Sequence, residues 1–222
     1  MSSRTRLTGK KILISAGPTF EDLDPVRFLG NRSSGKMGFA LAAEAAAMGA
    51  NVTLIAGPVH LPTPAGVQRI DVRRALQMRE AVLGALPGQD VYIGAAAVAD
   101  YMPADTATQK IKKTGETLTL QLVRTPDILA EVAAHPARPR CVVGFAAETQ
   151  DMERYAMGKL RSKNLDMIAA NDVSRPGCGF ESEDNALTVF TAEHRSEIAS
   201  GPKARVARAL LELVAERLEQ SA

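Results

Sequence analysis

With 222 residues, 45% of them apolar and 23% charged, the chain is long enough to bury a full core and is composed like an ordinary globular protein. Its 27 Lys and Arg against 25 Asp and Glu leave a net charge of +2, which gives no electrostatic ground for a nucleic-acid partner. No stretch reads as membrane-spanning, Cys141 and Cys178 have no CxxC or Cys/His spacing, and "MSSRTRLTGKK" lacks the apolar core of a signal peptide, so a cytoplasmic protein is expected.

"KKILISAG" is a short apolar run closed by Gly17 and Pro18, the form of a buried strand. Gly17 to Asn31 is long for a structureless loop and holds little to make it disordered, so it is expected to be a site loop. "KMGFALAAEAAAMG" then predicts a helix over 36–49 with Gly49 as its C-cap, and "ANVTLIAG" returns to strand composition. The same rhythm continues with "VQRIDV" as strand, "RRALQMREAVLGAL" as helix and "DVYIGAAAVAD" as a strand that dissolves into small residues. "DILAEVAAH" and "DMERYAMGKLRSK" are predicted helices, followed by the strands "RCVVGFAAE" and "LDMIAAN". Continuous apolar strands separated by helices imply an α/β fold, a doubly wound, mostly parallel, Rossmann-like sheet covered on both faces. Two stretches break the rhythm. "KIKKTGETLTLQLV", residues 110–123, alternates polar and apolar around Thr114-Gly115 and predicts an exposed β-hairpin, and "NALTVFTAEHRSEIAS" reads similarly before a last helix over 203–220. Residues 1–9 read as a tail or linker and 10–222 as one domain without repeats.

"GNRSSGKM", residues 30–37, matches a phosphate-binding P-loop through Lys36, but Met37 stands where the Mg²⁺-binding hydroxyl belongs. The preceding strand also ends near Ala16, too far upstream for a tight strand-to-helix turn. What survives is that Ser33, Ser34 and Gly35 lie just before a helix, where backbone N–H groups and the dipole favour an anion. Ser34 as a simple N-cap is the alternative.

Other patches carry paired readings. In "GAAAVADY" the small residues Gly94, Ala95, Ala96 and Ala97 either let a ligand approach the edge of the sheet or pack against a helix, and Asp100 is either a metal or ribose ligand or a solvated turn residue. Lys110, Lys112 and Lys113 form either a phosphate-holding strip or a solvated edge. "TPDIL", with Pro126, Asp127, Ile128 and Leu129, looks like a helix start. Phe145 in "GFAAET" stacks on a base or belongs to the core, and Lys159 and Lys163 share a helix face that either meets an anionic ligand or meets only solvent. His60, His135 and His194 have no ligand spacing, no G-x-S-x-G is present, and "SAGPTFED" carries no G-x-G-x-x-G, which removes zinc hydrolysis and weakens NAD(P)-type oxidoreduction.

In order and with compatible spacing, "AGPTFEDLDPVRFLGNRSSGKMG", "GAAAVADY", "KIKK", "GFAAET", "KNLDMIAAND" and "GFESEDNALTVF" resemble the phosphopantothenate–cysteine ligases, over roughly residues 10–195. The resemblance is to the bacterial CTP-using form, commonly fused to a phosphopantothenoylcysteine decarboxylase. It implies ligation of 4′-phosphopantothenate and L-cysteine through an acyl-cytidylate, with CTP as co-substrate and Mg²⁺ on its triphosphate. It further implies a nucleotide site from Gly94, Ala95, Ala96, Asp100, Lys110, Pro126 to Leu129, Phe145, Lys159 and Lys163, with Asp100 also a possible metal contact. Asn31 and Lys110 are the implied catalytic residues, the Asn31 amide donating to the acyl oxygen. Arg27, Asn31 and Ala97 are implied on the phosphopantothenate side, where the helix-start physics adds Ser33, Ser34 and Gly35. A homodimer is implied, with residues 110–123 and 186–199 as its candidate contacts. A non-catalytic nucleotide-binding regulator is the competing reading, beside an oxidoreductase on the same fold.

Overall fold

The computed structural model describes residues 6–113, 115–148, 151–172 and 182–220. In chain order the elements are β1 (Lys11–Ala16), β2 (Phe20–Asp22), β3 (Phe28–Gly30), α1 (Lys36–Ala47), β4 (Asn51–Ala56), β5 (Val67–Asp71), α2 (Ala75–Ala85), β6 (Val91–Gly94), β7 (Tyr101–Pro103), β8 (Leu122–Arg124), α3 (Ile128–Ala134), β9 (Cys141–Glu148), α4 (Met152–Ser162), β10 (Met167–Asp172), β11 (Asp184–Phe190), β12 (Arg195–Pro202) and α5 (Lys203–Gln220).

The apolar runs become the central strands because they must be buried on both faces. In β1, Ile12 and Ile14 point into one core while Leu13 points into the other, as the two-residue side-chain period requires. The same split separates Val91 and Ile93 from Tyr92, and Cys141 and Val143 from Val142. One face is covered by α1 and α5, the latter through Val206, Leu210 and Val214 at four-residue spacing; α2, α3 and α4 cover the other. Each fully buried Leu or Ile contributes roughly 1.5–3 kcal/mol to this sandwich.

The eight-stranded sheet runs β12-β11-β10-β9-β6-β1-β4-β5. From β5 to β10 all neighbours are parallel, and numbering those strands by chain order gives 3-2-1-4-5-6. This is the doubly wound Rossmann order, whose connections reverse direction between the first and fourth strands, here β1 and β6. Beyond β10 the sheet continues antiparallel.

Three details differ from the sequence reading. The stretch between β1 and α1 is not structureless, because β2 and β3 pair as a small hairpin. That hairpin is pinned down: buried Glu21 accepts the Ala75 N–H at 2.8 Å at the start of α2, Asp22 pairs with Arg73 at 2.6 Å, and Phe20 stacks on Phe28. The excursion near 110–123 exists, but its strand pairing lies at the base, between β7 and β8, and residues 110–121, as far as they are described, are not strand. The alternation of polar and apolar residues there reflects an exposed arm and not a hairpin. Residues 185–200 do form an antiparallel pair, with a bulge between Asn185 and Leu187, but as the edge of the main sheet. Among the described residues, no helix is long and apolar enough to cross a membrane.

Candidate functional site

The reversal between β1 and β6 opens a crevice at their carboxyl ends. Past the last strand residues the two chains stay paired: Ala95 N–H donates to Ser15 O and Ala97 N–H to Gly17 O, both at 2.9 Å, with a parallel bridge between Pro18 and Ala97. Small side chains keep the crevice open. At Gly94 a Cβ would lie 3.3 Å from Leu129 and 3.4 Å from the Tyr92 ring.

The loop from Ala95 to Asp100 is the wall between two cavities. One, of about 410 Å³, is lined by Asn31 to Gly38, by Asn171, Asn185 and Lys203, and by Ala95 to Ala97. The other, of about 620 Å³, is lined by Ser15, Tyr92, Gly94, Arg124 to Leu129 and Lys163. Ala96, Ala97, Asp100 and Phe145 border both. The wall is held from each side. Asn31 Nδ2 donates to Ala97 O at 3.2 Å and Val98 O at 3.1 Å, Thr19 Oγ1 accepts the Ala99 N–H at 3.0 Å, and Thr125 Oγ1 donates to Ala99 O at 2.5 Å. Two carbonyl acceptors fix which end of the Asn31 amide faces the wall.

The first cavity contains the start of α1. Gly35, not Ser34, is its N-cap, at φ 74°, a left-handed conformation that glycine adopts without strain. The cap residue itself has no side chain to offer the helix end, and no acid stands in the first turn. Gly38 lets the helix approach β1, since a Cβ there would lie 2.4 Å from Ala16 Cβ. The simple N-cap reading of Ser34 therefore fails, and the cavity receives the positive end of a twelve-residue helix. Lys36 pairs with Glu183 at the rim and holds its carboxyl below the usual carboxylate range.

The second cavity contains the start of α3, built in the opposite way. Asp127 is the N-cap, its Oδ1 accepting the Ala130 N–H at 3.1 Å while Oδ2 pairs with Lys163 at 2.7 Å. Its floor is Tyr92, whose hydroxyl lies 2.9 Å from Ser15 Oγ. Burial pushes this phenol up to about 12, against the Ser15 hydrogen bond and with a smaller push from Asp127.

Three candidates lie outside both linings. Lys159 is on α4, half-buried. Arg27 pairs with Asp24 at 2.5 Å and donates to Ile111 O at 2.7 Å, so it clasps the arm beside exposed Lys110. The strand that would align Lys110 with Lys112 is absent, which removes the geometric argument for a lysine strip. Asp24 itself is buried, which alone would raise its carboxyl; hydrogen bonds from Ile111 N–H, the Arg27 guanidinium and the Val26 and Arg27 N–H groups outweigh this and hold it below the carboxylate range. Asp24, Thr19, Thr125, Asn171, Asn185 and the Ser15–Tyr92 pair went unnoticed in the sequence. Buried polar residues inside apolar or loop segments are the only signal they leave.

Fold and crevice together define a doubly wound α/β protein with a two-chambered crevice at its topological switch point, where such folds bind ligands. The chain belongs to the DNA/pantothenate metabolism flavoprotein C-terminal domain family, which matches residues 7–218. It is 55% identical over 214 residues to the coenzyme A biosynthesis bifunctional protein CoaBC of Vibrio cholerae, covering 96% of this chain and 54% of that protein. It is 50% identical over 212 residues to the protein of that name in Escherichia coli K12, covering 94% and 52%. The chain thus spans about half the length of these relatives. The crystal structure of the C-terminal domain of CoaBC superposes with a TM-score of 0.84 at 40% identity, covering 97% of this chain and 99% of that one. A Cab2 H337A mutant in complex with phosphopantothenate-cysteine shares the fold, with a TM-score of 0.75 at 16% identity over 95% of this chain and 87% of that one.

Proposed function

We propose that this chain joins 4′-phosphopantothenate to L-cysteine at the expense of CTP, as the ligase part of a coenzyme A biosynthesis protein. The observation that carries the reading is the pair of cavities meeting at Ala96, Ala97, Asp100 and Phe145, the arrangement a two-substrate condensation needs. Membership of the family and the names of its relatives and neighbours support a role in coenzyme A biosynthesis, and CTP and the acyl-cytidylate are what the motif resemblance adds.

In the first step a carboxylate oxygen of phosphopantothenate attacks the α-phosphorus of CTP, and pyrophosphate leaves as the acyl-cytidylate forms. In the second, the amine of cysteine attacks the acyl carbon, loses a proton, and expels CMP to leave an amide. The phosphate of the acid substrate belongs at Ser33, Ser34 and Gly35, where the α1 dipole favours an anion. The cytidine belongs in the second cavity, between Gly94, Pro126 to Leu129 and Phe145, with Lys163 at its edge. The reacting groups then meet at the shared wall. Lys110 reaches them when the arm folds over the crevice, and Lys159 acts from outside the lining. Arg27 supports the acid side by holding the arm to Asp24. Donation from Asn31 to the acyl oxygen requires exchanging one of its bonds to the Ala97 or Val98 carbonyl when substrate binds.

Mg²⁺ neutralises charge on the triphosphate when bound. No group of three or more His, Cys, Asp or Glu residues suited to a metal occurs among the described residues, and Asp100 is a lone exposed carboxylate at the junction. That donor set fits an ion carried mainly by phosphates. The arm exposes Leu118, Leu120 and Leu122, apolar side chains suited to contact with a second copy in a homodimer. The decarboxylase that the motif resemblance implies would belong to the part of the bifunctional relatives that this chain does not span.

Purified chain with CTP, Mg²⁺ and 4′-phosphopantothenate is expected to release pyrophosphate and, with cysteine present, to form phosphopantothenoylcysteine; ATP is expected to substitute poorly. A folded chain that releases pyrophosphate with neither nucleotide refutes the reading.

A further inference from the structure

Asn171 stands at the carboxyl end of β10, 9% exposed, and lines the first cavity. Its Oδ1 is buried without a hydrogen-bond partner among the described residues. A buried carbonyl oxygen left unpaired carries its full desolvation penalty, and native structures keep such atoms where a ligand or an ordered water completes them. None of the steps above uses it. On the neighbouring β11, Asn185 is 3% exposed and lines the same cavity. Its Oδ1 accepts the Ala186 N–H at 3.0 Å, which fixes the amide orientation, and among the described residues its Nδ2 has only Met37 Sδ, at 3.5 Å, as acceptor. A thioether is a weak acceptor. One wall of the cavity therefore offers a strong acceptor with no donor and a good donor with a poor acceptor.

That complement is the hydrogen-bonding pattern of a secondary amide, which presents one N–H and one carbonyl on opposite edges. We infer that Asn171 and Asn185 form a recognition site for the internal amide of the acid substrate, Asn171 Oδ1 accepting its N–H and Asn185 Nδ2 donating to its carbonyl. The inference rests on the ligase reading, whose acid substrate carries one amide between phosphate and carboxylate. It adds to that reading a specificity element on the sheet, separate from the helix start that takes the phosphate. Two contacts a fixed distance from an anion site select chain length as well as charge. A phosphorylated acid without the amide then binds through its phosphate alone.

The test is calorimetric titration of the whole chain, and of its Asn171→Leu variant, with 4′-phosphopantothenate and with the analogue in which an ester oxygen replaces the amide N–H. Wild type is expected to bind the amide 10- to 100-fold more tightly than the ester, and Asn171→Leu to reduce that preference to less than about 3-fold, as expected when a site's polar group has lost its partner. CTP affinity should be unchanged and the melting temperature equal or higher, because the variant removes an unpaired buried atom; Asn171→Ala serves if leucine does not fit. A variant that keeps the full preference, or that loses CTP binding and melts earlier, overturns the inference while leaving ligation intact. Absence of any 4′-phosphopantothenate binding by wild type overturns the ligase reading, and this inference with it.

Discussion

The two helices that open onto the crevice use one device in opposite senses. In the chain α1 lies between β1 and β4 and α3 between β6 and β9 of the main sheet, and both point their N-terminal ends at a cavity. At α1 the cap is a left-handed glycine, which has no side chain to close the helix end, and the first turn holds Lys36 and no acid. At α3 the cap is Asp127, Glu131 follows in the first turn, and Lys163 is neutralised by the capping carboxylate. A helix end left without a side-chain cap attracts an anion, whereas one closed by a carboxylate repels it. On the proposed ligase reading, the difference favours a phosphate in the α1 cavity and an uncharged nucleoside in the α3 cavity, with the reacting triphosphate between them.

The comparison breaks most severely at the strut between the cavities. Asn31→Asp turns two donors into acceptors facing the Ala97 and Val98 carbonyls. Losing both bonds costs the folded chain about 2–3 kcal/mol, so turnover should fall roughly 10- to 100-fold in steady-state assays as the wall shifts, and the melting temperature should drop by a few degrees. Giving α1 the chemistry of α3 comes next. Ser34→Asp should raise KM for phosphopantothenate about 10-fold or more, leave KM for CTP within about 3-fold, and raise the melting temperature, because a carboxylate at a helix start is stabilising by about 0.3–1 kcal/mol. The reverse exchange, Asp127→Ala, should destabilise the chain by about 1 kcal/mol in denaturant titration through loss of the cap. It should also create binding of inorganic pyrophosphate near freed Lys163, measurable by calorimetry.

The smallest effect concerns the arm. Asp24 is held below its ordinary value, so as pH falls the unfolded chain takes up this proton first. Its contribution to stability is complete above the unfolded value of about 3.9 and is lost as pH falls from there through the lower folded value. Asp24→Asn should therefore flatten the acid limb of a stability–pH curve below about pH 4. An unchanged slope would mean that the Asp24–Arg27 clasp on Ile111 is not what holds the arm.

The central strands and their helices were readable because burial on both faces writes long apolar runs, and glycines mark the turns. Lys36–Ala47 and Lys203–Gln220 were expected almost to the residue. The crevice was readable through Gly94, Ala95 and Ala96, since small residues leave space open where the ends of two strands converge. Capping was not readable: "NRSSGK" offers two serines of the usual capping type, and only the backbone angle of Gly35 shows that the cap position falls on the glycine after them. The arm was misread for a related reason, as period-2 alternation describes any extended exposed segment and says nothing of a partner strand. Asn171 and Asn185 were quoted within motifs but singled out by nothing, because an unpaired oxygen is a property of three-dimensional surroundings.

The most direct test of the division between the cavities is a crystal structure of the chain with 4′-phosphopantothenate and a CTP analogue whose α–β bridging oxygen is replaced by a methylene. The substrate phosphate is expected at Ser33, Ser34 and Gly35, the cytosine between Gly94 and Phe145, and the carboxylate and α-phosphorus together at Ala96 to Asp100. A triphosphate seated on the start of α1, with the acid substrate on the α3 side, would contradict it.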